Sequence, residues 1–268
     1  MSDILTTTHR TVDPAEFYDP LADAYDHEFN APHRRIYDDL AWEVVTSLLP
    51  SGPATIVDAG CGTGRLAGRL VAMGHDVIGI EPSPRMADLA SARWMADRFT
   101  LHRCRIEDAE LPAGEAAMVM AMGSVQFTDD PDAAIARMAR WVKPGGHLVV
   151  LCDSLVALVQ ELIRAGDVGQ AMERARSRRA CWVRDDLAVE HHLLDSLRLQ
   201  EAFGAAGLLE VGVGGLLVAF TTLGRREWVA AHTGYPDQLI ELERDLASVP
   251  ELADTGKQLL AVGRAPTL

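Results

Sequence analysis

Residues 56–83 constrain the fold of this chain more than any other stretch. They read IVDAGCGTGRLAGRLVAMGHDVIGIEPS: an apolar run stops at Asp58, a glycine-rich turn and a helix-like segment follow, and a second apolar run ends at Glu81. A strand, a glycine turn, a helix and a second strand in this order form a βαβ unit, whose two strands are parallel. The stretch therefore predicts a nucleotide-binding α/β domain.

The alternation of strands and helices continues as far as residue 153. Gly74 has the position of a C-cap for the helix after the glycine turn, and Ser83 and Pro84 can start the next helix as N-cap and first helical residue. Such alternation predicts a parallel sheet covered on both faces, with ligands bound at the carboxyl ends of its strands. The five predicted strands cover residues 54–60, 76–81, 99–104, 116–124 and 147–153.

The segments on either side of this region read mainly as helices. Apolar residues recur at spacings of three and four before Pro50, and residues 154–192 are polar, arginine-rich and of helical character. Helices are also predicted for residues 194–206 and 225–249. Residues 208–220 read as a strand or a bent strand pair, and residues 257–265 read as a closing strand.

The charge of the chain limits its partners. The 268 residues carry a net charge of −14, which repels nucleic acid and anionic membranes unless a local basic patch overrides it. One basic cluster stands out, made of Arg174, Arg176, Arg178, Arg179 and Arg184. Because no apolar run can span a bilayer, no signal-peptide pattern is visible and the four cysteines are scattered, we expect a cytoplasmic protein with free thiols.

The glycine turn differs from the dinucleotide fingerprint. Its glycines are Gly60, Gly62 and Gly64, so the pattern is G-x-G-x-G, and no lysine followed by serine or threonine completes a phosphate-binding loop. Asp58, two residues before the turn, would repel a pyrophosphate and favour a ligand with a cationic group. Glu81 ends the next strand, where an acid accepts hydrogen bonds from ribose hydroxyls. The predicted ligand is a nucleoside with a cationic tail.

At these positions the chain resembles the class I S-adenosylmethionine-dependent methyltransferases, over most of residues 18–152. The glycine motif is DAGCGTG at residues 58–64, and Glu81-Pro82-Ser83 with Met86 is similar to the ribose-binding segment of that family. RIEDAELP at residues 105–112 resembles the segment beside the adenine, and KPGG precedes the fifth predicted strand. In this order and spacing the motifs identify the family far better than any one of them does.

The resemblance implies a fold and a domain layout. We expect a single α/β domain over residues 1–268, with a Rossmann-like, seven-stranded, mostly parallel sheet whose last strand is antiparallel. A helical N-terminal lid and helical insertions after strands five and six complete it. The core would cover about residues 54–153, 194–218 and 257–265. The lid and substrate elements would cover about residues 11–50, 154–192 and 219–250.

The resemblance also implies S-adenosylmethionine as cofactor, S-adenosylhomocysteine as product and no metal. Asp58 would face the ammonium group of the cofactor, Glu81 its ribose, and the backbone carbonyl of Met122 would lie near the ammonium. A tyrosine of the N-terminal helix, Tyr25 in preference to Tyr18, would close over the cofactor. The cofactor-binding residues implied in this way are Tyr25, Arg34, Asp58, Gly60, Gly62, Glu81, Pro82, Met86, Ile106, Glu107, Asp108 and Met122.

A second, more specific resemblance indicates which cation would bind the carboxylate of the cofactor. Arg34 and Arg35 lie where the bacterial tRNA methyltransferases that esterify a carboxymethoxy-uridine carry an arginine. Met122, however, stands where those enzymes have a histidine, and this chain is strongly acidic. Actinobacterial natural-product methyltransferases share the layout, and we favour that class.

The residues that act on the methyl acceptor are the least defined. An alcohol needs a general base, an amine must be neutral, and a carboxylate needs no base. His191 and His192, predicted to lie on a helix, and Asp153 at the end of the fifth predicted strand are the candidate bases. Tyr18, Phe127 and Trp182 are the candidates for contact with the substrate.

Three functions follow as hypotheses. The first is methyl transfer to an oxygen or nitrogen atom of a small molecule, a secondary metabolite, by a monomeric or homodimeric protein without nucleic-acid or membrane partners. The second is methyl ester formation on a wobble uridine of tRNA, which would use the arginine cluster. The third is a protein of this fold that holds the cofactor for another reaction.

Overall fold

A computed structural model describes residues 9–93 and 98–267. Its main sheet has seven strands, and the first five of these along the chain follow the predicted ones. The strands of this sheet are β2 (Thr55–Ala59), β3 (Asp76–Ile80), β4 (Phe99–His102), β5 (Ala116–Met122), β6 (Val142–Asp153), β9 (Leu209–Leu216) and β10 (Gln258–Arg264). A small second sheet contains β1 (Arg10–Thr11), β7 (Arg179–Arg184) and β8 (Leu187–His192).

The strand order of the main sheet is β4-β3-β2-β5-β6-β10-β9. Strands β2 to β6 pair in parallel, whereas β10 is antiparallel to both of its neighbours. The order reverses at β2, because β3 lies on one side of it and β5 on the other. This confirms the expected mostly parallel, seven-stranded Rossmann-like sheet with an antiparallel last strand, and its reversal point is where such sheets bind ligands.

Helices cover both faces of the main sheet. One buried cluster joins α6 and α9 to residues such as Val57, Val119 and Val150, and a second joins α3, α4 and the C-terminal helices to Ile56, Met118 and other residues of the opposite face. The helices are α1 (Pro14–Tyr18), α2 (Ala22–Tyr25), α3 (Pro32–Leu48), α4 (Arg65–Ala72), α5 (Pro84–Arg93), α6 (Pro131–Trp141), α7 (Leu155–Arg164), α8 (Val168–Ser177), α9 (Ser196–Ala205), α10 (Val218–Leu223), α11 (Arg225–Gly234) and α12 (Pro236–Ala247).

The helix boundaries follow the predicted caps. Gly74 adopts φ +90° just beyond α4, and the hydroxyl of Ser83 accepts a hydrogen bond from the backbone N–H of Met86 at the start of α5. The predicted α5 reached Trp94, which lies outside the described residues. Within the described residues, none of the helices combines the length and apolar character needed to cross a membrane.

The prediction of helix over residues 154–192 is right for α7 and α8 and wrong for residues 179–192. These form an antiparallel hairpin of β7 and β8, turned at Asp185 (φ 54°), and β1 pairs in parallel with β8. Side chains alternate along RACWVR and LAVEHH, and Ala180 packs with Leu155 and Leu158 of α7 and with Leu193. Most of the strand pairing is between β7 and β8 themselves, with β1 adding two residue pairs, and the local helical character did not reveal it.

The prediction for residues 208–220 needs a similar correction. The strand β9 ends at Leu216, Leu217 adopts φ 61°, and the rest of the segment is helix α10. The carboxylate of Glu243 on α12 accepts hydrogen bonds from the backbone N–H groups of Ala219 and Phe220 at 3.0 Å, which caps α10 from another helix. A remote cap of this kind leaves no local pattern in the sequence.

We expect Glu243→Leu to lower the free energy of unfolding by about 3 kcal/mol, and Glu243→Gln by about half as much. Glu243 is fully buried and also accepts from Trp228 Nε1 at 2.8 Å, so leucine leaves three buried donors unpaired while glutamine keeps one acceptor oxygen. Denaturant unfolding measures the loss. Glu241→Leu, at an exposed position of α12, is the control, and an equal loss in that variant would contradict the assigned role of Glu243.

Candidate active site

The glycine turn lies between β2 and α4, at the carboxyl edge of the sheet. Gly60, Gly62 and Gly64 adopt φ values of +82°, +56° and +74°, which favour glycine. A β-carbon on Gly60 would lie 2.3 Å from Cβ of Ser124, which follows β5, whereas one on Gly62 would have no atom closer than 4.0 Å. Gly60 is thus required by the packing of two loops, and Gly62 leaves open space beside Tyr25 and Met86.

Asp58 lies at the end of β2, facing this turn. Its side chain is buried, and Oδ2 has no hydrogen-bond donor among the described residues. Burial raises the pKa of Asp58 to about 7, since Arg65 opposes the shift only in part and Glu81 adds to it. An unpaired buried carboxylate oxygen of this kind is stabilised by a cationic donor on a ligand.

Glu81 lies at the end of β3, across the turn from Asp58. Its two carboxylate oxygens accept hydrogen bonds from the backbone N–H of Gly62 at 2.9 Å and of Ser83 at 2.8 Å. Burial raises the pKa of Glu81 to about 7, although these two hydrogen bonds lower it. Each oxygen keeps a lone pair that ribose hydroxyls could use.

A cavity of about 740 Å³ runs from Glu81 along the next loops. Pro82, Met86, Ile106, Glu107 and Met122 line it, as the resemblance implies for the adenosine side. Asp108 is exposed and lies outside the lining. Glu107 accepts from the backbone N–H of Asp129 at 2.9 Å, and Arg105 lies 3.2 Å from both Glu107 and Asp13, a network that the motifs did not indicate.

The N-terminal segment covers this cavity, and carboxylates of the segment bind hydroxyl groups and an arginine that lie next to it. Asp19 accepts from the hydroxyl of Ser83 at 2.9 Å, Asp26 accepts from the hydroxyl of Thr63 at 2.6 Å, and Glu28 pairs with Arg34 at 3.1 Å. Residues 1–50 hold ten acids and three arginines, an imbalance visible in the sequence. Several of these acids, Asp19, Asp26 and Asp38 among them, bind hydroxyls or arginines of the core, so the acidic composition was the available signal for this contact.

Arg34 and Arg35 lie on different sides of α3. Arg34 lines a second, connected cavity between the glycine turn and the hairpin, and Arg35 is exposed outside it. Tyr25 and Tyr18 line both cavities. The structure therefore places Glu81 on the first cavity, Arg34 and Asp58 on the second and Tyr25 on both, and it leaves Arg35 out.

Aromatic side chains separate the cofactor side from the hairpin. The ring of Phe127 lies 5.6 Å from Tyr18 and 5.4 Å from Trp182 on β7, so the three predicted substrate residues form one cluster. Beneath it, the fully buried ring of His191 lies 4.8 Å from the ring of Trp182.

The hairpin places the two histidines that are candidate bases in different surroundings. His191 and His192 lie on β8, not on a helix, so they point to opposite faces. His191 Nε2 is 3.6 Å from Oδ2 of Asp153, which lines the second cavity. His192 lies instead beside Arg179, at 3.3 Å between Nε2 and Nη2.

The arginine cluster is largely engaged within the chain. Arg178 pairs with Asp195 at 2.6 Å, Arg184 pairs with Glu28 at 2.6 Å, and Arg174 donates to the carbonyl of Leu158. Arg179 lies 3.8 Å from Glu190. These contacts hold the hairpin and α8 against the body of the protein, so most of the cluster is not a free basic patch.

The residues that line the two cavities fit an adenosine with a cationic tail. Glu81, which has free lone pairs, lines the first cavity, Asp58, which has an unpaired oxygen, lines the second, and Gly62 lines both. Across residues 9–93 and 98–267, no group of three or more His, Cys, Asp or Glu side chains is placed to hold a metal ion.

Comparisons with known proteins agree with this geometry. Residues 57–150 match a family described as a methyltransferase domain. An uncharacterised methyltransferase of Mycobacterium tuberculosis (strain ATCC 25618 / H37Rv) is 32% identical over 126 residues, which are 45% of this chain and 49% of that protein. The chain thus spans about half the length of this curated relative.

Two longer matches extend the similarity. The uncharacterised methyltransferase YrrT of Bacillus subtilis (strain 168) is 28% identical over 196 residues, covering 73% of this chain and 86% of that protein. A solved structure from Thermotoga maritima, described as a possible histamine N-methyltransferase, superposes with a TM-score of 0.58 at 20% identity and covers 93% of this chain and 98% of that one. At that identity the superposition supports the fold.

Proposed function

We propose that the chain, whose residues 57–150 match a methyltransferase domain, is a class I S-adenosylmethionine-dependent methyltransferase that transfers a methyl group to an oxygen or nitrogen atom of a small molecule. The observation that carries the proposal is the buried, unpaired oxygen of Asp58 facing Glu81 across the glycine turn. This pair suits a ligand that is cationic at one end and carries ribose hydroxyls at the other.

The cofactor would be held by residues of this chain in three places. Asp58 would accept from its ammonium, Glu81 from its ribose, and Arg34 would pair with its carboxylate. Ile106 and Met86 would pack on the adenine. S-adenosylmethionine supplies an electrophilic methyl group on a sulfonium, so the protein's task is alignment of the acceptor and exclusion of water.

The shape of the site supports a small acceptor. The second cavity is enclosed by α3, the hairpin and the start of α7, and the aromatic cluster of Tyr18, Phe127 and Trp182 borders it. We propose that these elements, within the expected lid segments 11–50 and 154–192, select a secondary metabolite. The tRNA hypothesis loses its main support, because Arg174, Arg178 and Arg184 are engaged within the chain.

Isothermal titration calorimetry tests the proposal directly. We expect S-adenosylmethionine and S-adenosylhomocysteine to bind with dissociation constants of about 1–100 µM, the lower part of the usual range for enzyme substrates. Absence of binding by both compounds, from a protein whose folding is verified by circular dichroism, would show the proposed function to be wrong.

Arg34 and its neighbour Arg35 allow a prediction that has a matched control. We expect Arg34→Met to weaken S-adenosylmethionine binding about tenfold or more, the loss of one charge-assisted hydrogen bond. Arg35→Met removes the same charge one residue away, outside the cavity, and we expect it to change the affinity less than about twofold. The same calorimetric titration measures both variants, and equal losses would contradict the placement of the carboxylate beside Arg34.

A further inference from the structure

Charged side chains line the second cavity, and only some of them have a partner of opposite charge. Arg34 and Arg184 both pair with Glu28, Arg65 pairs with Asp38 at 2.6 Å, and Lys257 pairs with Glu161 at 2.5 Å. Arg34 and Arg184 share one carboxylate, so the lining carries one cation in excess there, which the carboxylate of the cofactor would use under the proposed function. To reach Arg65 or Lys257, an anionic acceptor would have to displace Asp38 or Glu161.

Two carboxylates of the lining remain without a lysine or arginine partner among the described residues. They are Asp58 at the end of β2 and Asp153 at the end of β6. Strand β5 lies between these two strands, and Asp58 is level with Val149 on β6, so Asp153 lies about 16 Å from Asp58. Asp58 serves the cofactor under the proposed function, which leaves Asp153 as the unpaired negative charge on the acceptor side.

Asp153 is held so that its carboxylate stays at the cavity. Its backbone N–H donates to Oε1 of Gln126 at 2.7 Å, which fixes the end of β6, and its side chain is 12% exposed. Behind it, His191 is fully buried, and neither ring nitrogen has a hydrogen-bond partner among the described residues. Nε2 of His191 lies 3.6 Å from Oδ2 of Asp153, so a small shift makes a hydrogen bond that orients the carboxylate.

The other groups around Asp153 leave its charge uncompensated. Burial, and then Tyr25 and Asp153, raise the pKa of Tyr18 well above its usual value, so its hydroxyl stays protonated. Burial and the nearby Arg225 lower the pKa of His33 in the same cavity to about 4, so His33 is neutral at neutral pH. The charged groups nearby, Arg34 and Lys257, are in the pairs described above.

We propose that Asp153 is the proton acceptor for the substrate and that His191 is its positioning residue. The acceptor class is then a molecule with a flat apolar body and an amine or hydroxyl group, and a carboxylate acceptor is disfavoured. This assignment rests on the proposed function and deepens it. The aromatic cluster of Tyr18, Phe127 and Trp182 receives the apolar body, and Asp153 receives the group that carries the proton.

The proposed step moves one proton from the acceptor to Asp153. The N–H or O–H bond of the acceptor breaks, its electron pair stays on the nitrogen or oxygen atom, and the proton forms a bond to a carboxylate oxygen of Asp153. An ammonium group becomes a neutral amine in this step, and a hydroxyl gains the anionic character that attack requires. A carboxylate has no proton to give and meets a like charge at Asp153.

Three probes of matched size test the assignment in protein loaded with S-adenosylhomocysteine: benzylamine, benzyl alcohol and benzoate. Ligand-observed NMR measures their affinities at neutral pH. We expect benzylamine to bind at least about tenfold more tightly than benzoate, with benzyl alcohol between them. In Asp153→Asn we expect this preference to fall to within about twofold, with cofactor affinity unchanged.

The role of His191 is tested by a conservative pair of variants. His191→Gln keeps a donor that can reach Asp153, and we expect it to retain most of the preference for benzylamine over benzoate. His191→Leu removes the donor, and we expect the preference to fall at least about threefold while cofactor affinity is retained. Equal preferences in the two variants would overturn the positioning role.

The outcomes separate this inference from the proposed function. Failure of the protein to bind either form of the cofactor would overturn the proposed function. Normal cofactor binding would overturn the assignment of Asp153 if benzoate bound as well as benzylamine, if neither benzylamine nor benzyl alcohol bound, or if Asp153→Asn kept the preference.

Discussion

Gly60→Ala is expected to destabilise the protein by about 3 kcal/mol or more and to abolish measurable cofactor binding. Gly60 has φ +82°, which costs alanine about 1–2 kcal/mol. In addition, the new β-carbon would lie 2.3 Å from Cβ and 2.8 Å from Oγ of Ser124. The hydroxyl of Ser124 donates to the carbonyl of Ala59 at 2.5 Å, so neither loop can move without breaking this contact at the edge of the site.

Gly74→Ala is the matched control for this experiment. Gly74 has a similar φ of +90°, but no atom lies within 4 Å of its β-carbon position, and it follows α4 at the opposite end from the glycine turn. We expect a loss of about 1–2 kcal/mol and normal binding. Denaturant unfolding and calorimetry measure both quantities, and similar losses in the two variants would show that the overlap with Ser124 is relieved at no cost.

The affinity for S-adenosylmethionine is expected to fall as the pH is lowered through about 7, by up to about tenfold per pH unit for each group that must be ionised. Burial raises the pKa of both Asp58 and Glu81 to about 7 in the cofactor-free protein. The ammonium of the cofactor needs an ionised Asp58, so protons and cofactor compete. Titrations at about pH 6 and about pH 8 in one buffer system measure the difference.

The stability of the cofactor-free protein is expected to change in the opposite direction. Both acids have a higher pKa in the folded protein than the usual values of 3.8 and 4.5. Between about pH 4 and pH 7 the folded state then binds more protons than the unfolded state, so their contribution makes the free energy of unfolding fall as the pH rises. Above about pH 7 this penalty is constant, because both states are ionised.

Asp58→Asn isolates the contribution of one acid. We expect the variant to bind S-adenosylmethionine about 10- to 100-fold more weakly at about pH 8, and to lose the part of the pH dependence between about pH 6 and pH 8 that Asp58 contributes, while the part from Glu81 remains. We also expect the cofactor-free variant to be the more stable protein at about pH 8, since the buried charge is gone. A variant that kept both the affinity and the pH dependence of the wild type would contradict the role of Asp58.

The parallel part of the fold could be read from the sequence because it is specified locally. Apolar runs that stop at Asp58 and Glu81, glycines where φ must be positive, and the N-cap Ser83 each act within a few residues. The cofactor side of the site is also specified locally, because β2 and β3 are parallel and their last residues lie at one edge of the sheet. That edge brings Asp58 and Glu81 together without help from distant segments.

The hairpin of β7 and β8 could not be read in this way. Residues 179–192 carry arginines and alanines that suit a helix, but they pair with each other as strands, and β1, almost 180 residues away, pairs with the other side of β8. The cap of α10 by Glu243 and the pair of Asp153 with His191 likewise join separate segments of the chain. Such contacts depend on which segments meet in space, and a single sequence records no pattern for them.

The sequence by itself therefore determined the sheet, the glycine turn and the class of nucleoside that suits Asp58 and Glu81. Only the tertiary structure decided between Arg34 and Arg35, and it alone placed His191 behind Asp153 under Trp182. The physical reason is that cofactor contacts come from the ends of adjacent strands, which the strand–helix rhythm fixes. The acceptor side is instead assembled from three segments folded over that edge, where burial and unpaired charge arise only after the chain has closed.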